Sequence, residues 1–169
     1  MTIAIVGAGP AGLMAAEVIS QAGVPVEVFD AMPSVGRKFL LAGKGGLNLT
    51  HSEPFDVFAS RFGERSAQVE PLLREFGADE MRAWAEGLGV STFVGTSGRV
   101  FPTDMKAAPL LRAWLKHLRA LGVHFHVNHR AVAFVDDRQL RLQAAEGEII
   151  VRADAFILAL GGASWPQLG

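Results

Sequence analysis

The stretch TIAIVGAGPAGLMAAEVISQAGVPVEVFD, Thr2 to Asp30, decides the fold. Thr2 to Val6 is a short apolar run that reads as a buried strand. The turn GAGPAG follows, and then LMAAEVISQAG, a helix of small and apolar residues that stops at Gly23, a suitable C-terminal cap. VPVEVFD, Val24 to Asp30, is a second strand. Strand, glycine turn, helix and strand within about thirty residues make a βαβ unit. Such a unit implies a parallel sheet with a right-handed crossover.

Inside the turn, Gly7, Gly9 and Gly12 have GxGxxG spacing. Alone that spacing is a weak signal, but here it follows a strand and opens a helix, which is the context a dinucleotide fingerprint requires. Gly7 permits the tight turn, Gly9 lets the backbone approach a pyrophosphate, and Gly12 allows close packing of helix on strand. Pro10 and Ala11 complete the turn at the helix N-terminus, whose N–H groups and positive dipole end face an anion. Asp30 ends the second strand eighteen residues past Gly12, with Ala31 next to it. An acid there can accept hydrogen bonds from a ribose and repels a 2′-phosphate, which argues against NADP at this site. The motif alone does not decide between FAD and NAD.

A second stretch, VGRKFLLAGKGGLNLTHSE from Val35 to Glu53, carries Arg37, Lys38 and Lys44 among four glycines. No Asp or Glu lies between Asp30 and Glu53. Residues 31–54 read as loop, with a short helix near Gly36 to Leu41. Two amphipathic helices are expected next. One lies within Ser66 to Phe76, with Val69, Leu72, Leu73 and Phe76 on one face; the other starts near Asp79 as N-cap and groups Met81, Trp84, Ala85 and Leu88. STFVGTSGRVFP reads as a hairpin turning at Gly95 to Gly98. A longer helix covers about Lys106 to Leu121, with Pro109 in its first turn. VHFHV is a strand, AVAFVDDRQLRLQAAEGEIIVRA a meander turning at Asp136–Asp137 and Glu146–Gly147, and AFILALGG a buried strand leading into a glycine loop.

Bulk properties exclude several classes. The 169 residues suffice for one domain with a sizeable core. A formal net charge of -1 lacks the footprint of a general nucleic-acid binder, so the basic loop is a local feature. Without cysteine there is no disulfide, thiolate metal site or CxxC redox pair in this chain. The N-terminal apolar run has no basic flank or cleavage site, and no apolar stretch approaches a membrane span. The cytoplasm is the default location. Gly43–Lys44–Gly45 fails as a P-loop, because Lys44 is followed by glycine and no strand directly precedes it. His124, His126 and His129 have no carboxylate close in sequence, and a solvated sheet face explains them without a metal. No nucleophile elbow is present.

The extended pattern GAGPAGLMAAEVISQAG, with the basic glycine loop, the meander and the late FILALGG, resembles the FAD fingerprint of the glutathione-reductase-like superfamily. A narrower resemblance rests on three motifs in order: GRKFLLAGKGGLNLTHSE, GRVFPTDMKAAPLLRAWL and LALGGASWPQLG. Together they resemble the YhiN/BaiN family of FAD-binding flavoproteins, whose members are labelled NAD(P)/FAD-dependent or aminoacetone-oxidase-family enzymes. Relatives more often read SGGGRCN where this chain reads AGKGGLN, a departure that marks a distinct subgroup.

The resemblance implies an α/β, Rossmann-like FAD/NAD(P)-binding domain with a parallel sheet, helices and a β-meander crossover. It implies that residues 1–169 are the N-terminal part of an FAD-binding domain whose parent is longer. Under it, Arg37 and Lys38 neutralise phosphate charge. Gly43, Gly45 and Gly46 bring backbone N–H groups near the cofactor, Asn48 and Thr50 reach the isoalloxazine edge, and Lys44 supplies a positive group near the ring. Backbone around Arg130 and Ala131 meets adenine, and Gly161 belongs to the late glycine motif. The expected activity is that of a flavin-dependent oxidoreductase on a small molecule, with NAD(P)H as a possible electron donor. No nucleic acid, membrane or metal is expected, and no catalytic residue is assigned. Two alternatives stay open: an NAD-dependent dehydrogenase domain, and a non-catalytic nucleotide-binding sensor or regulatory domain.

Overall fold

A computed structural model describes residues 1–42 and 45–162. In chain order the elements are β1 (Ile3–Val6), α1 (Pro10–Gln21), β2 (Val26–Phe29), α2 (Arg37–Ala42), β3 (Thr50–His51), α3 (Phe55–Ser60), α4 (Ser66–Glu75), α5 (Ala78–Gly87), β4 (Thr92–Val94), β5 (Arg99–Pro102), α6 (Ala107–Ala120), β6 (His124–His126), β7 (Arg130–Asp136), β8 (Gln139–Ala144), β9 (Gly147–Arg152) and β10 (Ala155–Leu158). The chain divides into two compact units, one of residues 1–41 and 115–169, the other Ala42–Trp114.

The first unit holds a parallel sheet in the order β10-β1-β2-β6. Ile3 pairs with both Ala155 and Val26, and Glu27 pairs with His124. The expected βαβ unit is present, and its helix ends as its sequence dictates. Gly23 adopts a positive φ of 78°, its N–H donates to Ser20 O, and Val24 N–H donates to Ile19 O. This is the left-handed cap that glycine alone adopts without strain. The meander is an antiparallel sheet, β7-β8-β9, whose turns fall at residues 137–138 and 145–146, each one residue from the expected place. Leu140 and Leu142 alternate onto its buried face and cluster with Ala4, Val6 and Phe29 of the parallel sheet. Burying each leucine stabilises the unit by about 1.5–3 kcal/mol, so this two-layer contact is the unit's main apolar anchor on that side.

The second unit carries the hairpin β4–β5, closed by Gly98 N–H donating to Gly95 O at 2.9 Å. A third strand, β3, joins it antiparallel to β5. Residues 31–54 read as loop in the sequence, and Thr50 and His51 differ from that reading because β5 offers them an edge to pair with. Trp114 is buried and meets Trp84 edge-on at 4.8 Å.

Two further expectations are corrected here. Asp79 does not cap α5: the N-cap is Gly77, and Glu80 reaches back to accept from Gly77 N–H at 3.0 Å. Asp79 lies in the first turn, where a carboxylate still complements the helix dipole. Helix α4 forms where expected, but none of its residues is buried, and Leu72 is 68% exposed. Its period is helical, and the expected face divides: Val69 and Leu73 are half-buried, whereas Leu72 and Phe76 are exposed.

Candidate functional site

The site forms where β1 and β2 of the first unit end. Gly7 takes a φ of 106°, and a Cβ there would stand 2.2 Å from Ala159 O. A Cβ on Gly12 would stand 1.9 Å from Gly7 O. These two glycines are required by protein backbone, which lets α1 begin hard against the strand ends. Gly9 differs, since nothing lies within 4 Å of where its Cβ would point. It lines an open cleft of about 290 Å³.

Of the residues singled out in the sequence, the structure brings Gly7, Gly9, Pro10 and Ala11 to this cleft, together with Asp30 and Ala31. Arg37, Lys38, Ala131 and Gly161 line it as well. Gly12 lies behind it in the first turn of α1. Gly45 and Asn48 belong to the second unit, where both are exposed; Gly43 and Lys44 lie outside the described residues. Sequence reasoning missed Met32, Ser34 and His129 as lining residues. Their signal was weak, because each enters through a loop whose path depends on pairing elsewhere. Asn128 N–H donates to Met32 O at 3.0 Å, and His129 N–H donates to Asp30 O at 2.8 Å. These bonds join two segments about a hundred residues apart in sequence.

Asp30 is held by two backbone amides. Its Oδ2 accepts from Ala8 N–H at 2.6 Å and its Oδ1 from Met32 N–H at 2.8 Å. Gly36 N–H in turn donates to Ala8 O at 2.9 Å, so the glycine turn is held on both sides of Ala8, through its N–H and its carbonyl. Arg37, Lys38, His129 and Arg130 stand around the cleft against the single acid Asp30, a balance that favours an anion.

Three observations test whether a dinucleotide fits. Gly9 leaves open space at the helix start. As N-cap of α1 it brings no side chain to the first-turn N–H groups, which leaves them to solvent or an anion. Arg37 Nε is buried and has no hydrogen-bond partner among the described residues; a buried donor of that kind costs free energy unless a ligand or water satisfies it. All three fit a phosphate-bearing ligand. The cleft volume lies near the lower edge of small-molecule pockets, enough for part of a dinucleotide.

The histidines resolve differently from their sequence reading. His124 and His126 do share a strand face, and a carboxylate reaches them from the neighbouring strand: Glu27 Oε1 lies 2.9 Å from His124 Nδ1, and Oε2 2.5 Å from His126 Nε2. Burial pushes the Glu27 carboxyl up, but hydrogen bonds from His126 and His124, with their charge, outweigh it and hold the group below its ordinary value. Among the described residues no three His, Cys, Asp or Glu side chains are set to hold a metal ion. None of the described helices is long and apolar enough to cross a membrane.

A parallel sheet, a glycine turn opening a helix, and an acid at the end of the second strand define a Rossmann-type nucleotide-binding domain. Residues 1–169 match the HI0933-like protein Rossmann domain, and the chain belongs to that family, of the YhiN/BaiN FAD-binding type. The Escherichia coli (strain K12) protein UacF is 53% identical over 34 residues, 20% of this chain and 5% of that protein. Among solved structures, the 3-ketosteroid-Δ4-(5α)-dehydrogenase of Rhodococcus jostii RHA1 superposes with a TM-score of 0.70 at 18% identity, over 95% of this chain and 45% of its own. A flavocytochrome c3 fumarate reductase gives 0.69 at 22%, over 95% and 34%. THI4 of Thermovibrio ammonificans gives 0.63 at 16%, over 95% and 57%. At the identities of these three structures the likeness is one of fold, and the chain spans less than two thirds of the length of each of these proteins.

Proposed function

We propose that the chain is the FAD-binding portion of a flavin-dependent oxidoreductase and forms the N-terminal part of its FAD-binding domain. FAD is the cofactor of the family type to which the chain belongs. Its AMP half would lie over the turn from Gly7 to Gly12, with the pyrophosphate at the α1 N-terminus beside Gly9, Pro10 and Ala11. Arg37 and Lys38 neutralise phosphate charge, and the backbone at Arg130 and Ala131 faces adenine. Gly161 and Ala31 flank the same cleft. Gly43, Gly45 and Asn48 are assigned to the ring side by the family resemblance alone. When bound, the flavin supplies the redox chemistry; the residues here bind, orient and balance its charge. The dehydrogenase and the fumarate reductase that share this fold support an oxidoreductase. A small-molecule substrate, NAD(P)H as reductant and a cytoplasmic location belong to this same reading.

The observation that carries it is the convergence, in one cleft, of the open helix start at Gly9 with the cations Arg37, Lys38 and Arg130. Calorimetric titration tests it. FAD should bind more tightly than NAD, and Arg37→Ala should weaken FAD about tenfold or more, as expected for one charge-assisted contact. Equal affinity for the two dinucleotides, or no effect of the substitution, would remove the support.

A further inference from the structure

The acid that ends the second strand of such a fold is expected to serve the ribose, yet here both oxygens of Asp30 already hold backbone N–H groups of the protein. We propose that Asp30 is a positioning residue: a clasp that sets the glycine turn before any ligand arrives. Oδ1 closes a local turn onto Met32 N–H, two residues ahead, the ring that aspartate forms with its own backbone. Oδ2 reaches across to Ala8, between the first two glycines of the turn, twenty-two residues back in sequence. The next link is Gly36 N–H on Ala8 O. One carboxylate therefore ties the end of β2, the loop leading into α2 (where Arg37 and Lys38 sit), and the phosphate turn into a single network. The backbone N–H groups aimed into the cleft owe their direction to this network, so the acid acts on cofactor affinity through the backbone. Each oxygen keeps a second lone pair, but a ribose contact would add to this role.

The clasp and a plain ribose acceptor predict different responses to substitution. Asp30→Asn leaves one acceptor oxygen for two donors, so one of the two amides must face an NH₂ group. Asp30→Glu keeps the charge and reach toward a ribose, but its extra methylene breaks the two-residue ring to Met32. Amide exchange followed by NMR on the free chain should therefore show faster exchange, by about tenfold or more, at Ala8 or Met32 in Asp30→Asn and at Met32 in Asp30→Glu. Tenfold corresponds to about 1.4 kcal/mol of lost protection. Unchanged exchange at both amides in both variants overturns the proposal.

The ligand arm rests on the FAD reading. There, both variants should weaken FAD about tenfold, and Asp30→Asn should weaken ADP and 2′-deoxy-ADP by the same factor. A loss confined to ADP, with Asp30→Glu binding as well as the parent, would make Asp30 a ribose acceptor and overturn the clasp. If the unsubstituted chain binds none of these ligands, the FAD reading fails, while the exchange measurement still decides the clasp.

Discussion

At the residue scale, the three fingerprint glycines are not equivalent. Gly7 and Gly12 are glycine because protein backbone leaves no room for a Cβ, whereas Gly9 is flanked by open cleft and has an ordinary φ of -80°. Folding and binding should therefore separate by position. Gly7→Ala should destabilise the chain by about 1–3 kcal/mol or more, from positive-φ strain and the clash with Ala159. Thermal unfolding would read this as a fall of roughly 2–4 °C per kcal/mol. Gly9→Val should leave the melting temperature unchanged and abolish measurable FAD binding. The reverse pattern would mean that the turn is shaped for packing alone. Spacing alone sets Gly9 toward a ligand and Gly12 toward the strand. That both oxygens of Asp30 go to backbone is not legible in the sequence, because it depends on the path of the loop after it.

At the element scale, what was legible was local. β1, α1 and β2 follow from period, glycine placement and a C-terminal cap, all within thirty residues, and the meander follows from alternation between turn residues. What was illegible depended on partners. β3 is two residues long and exists because β5 offers it an edge. α5 is capped by Gly77 because a Cβ there would stand 2.5 Å from Leu73 O, a constraint the composition does not display. The pairing of β2 with β6 brings Glu27 to both histidines, about a hundred residues away in sequence. That cluster carries a pH signature. Since the fold lowers the Glu27 pKa, its contribution is present above the ordinary carboxylate value and lost as pH falls through the folded value. Glu27→Gln should thus lower stability near neutrality and flatten its decline on the acid side. Urea unfolding across that range would show it, and parallel pH profiles for the two proteins would exclude Glu27 as a contributor.

At the scale of the whole molecule, a chain of net charge -1 gathers Arg37, Lys38, Arg130 and His129 around one cleft of its first unit. Local charge, not bulk charge, selects the ligand class, and the glycine turn selects its shape. The central claim is that this cleft takes FAD. The most direct measurement is an absorbance scan of the purified chain after equilibration with FAD and desalting, paired with a titration followed by flavin fluorescence. Retained flavin bands at about 370 and 450 nm are expected, with a saturable fluorescence change that Gly9→Val removes. A chain that stays colourless and leaves FAD fluorescence unchanged throughout the titration would contradict it.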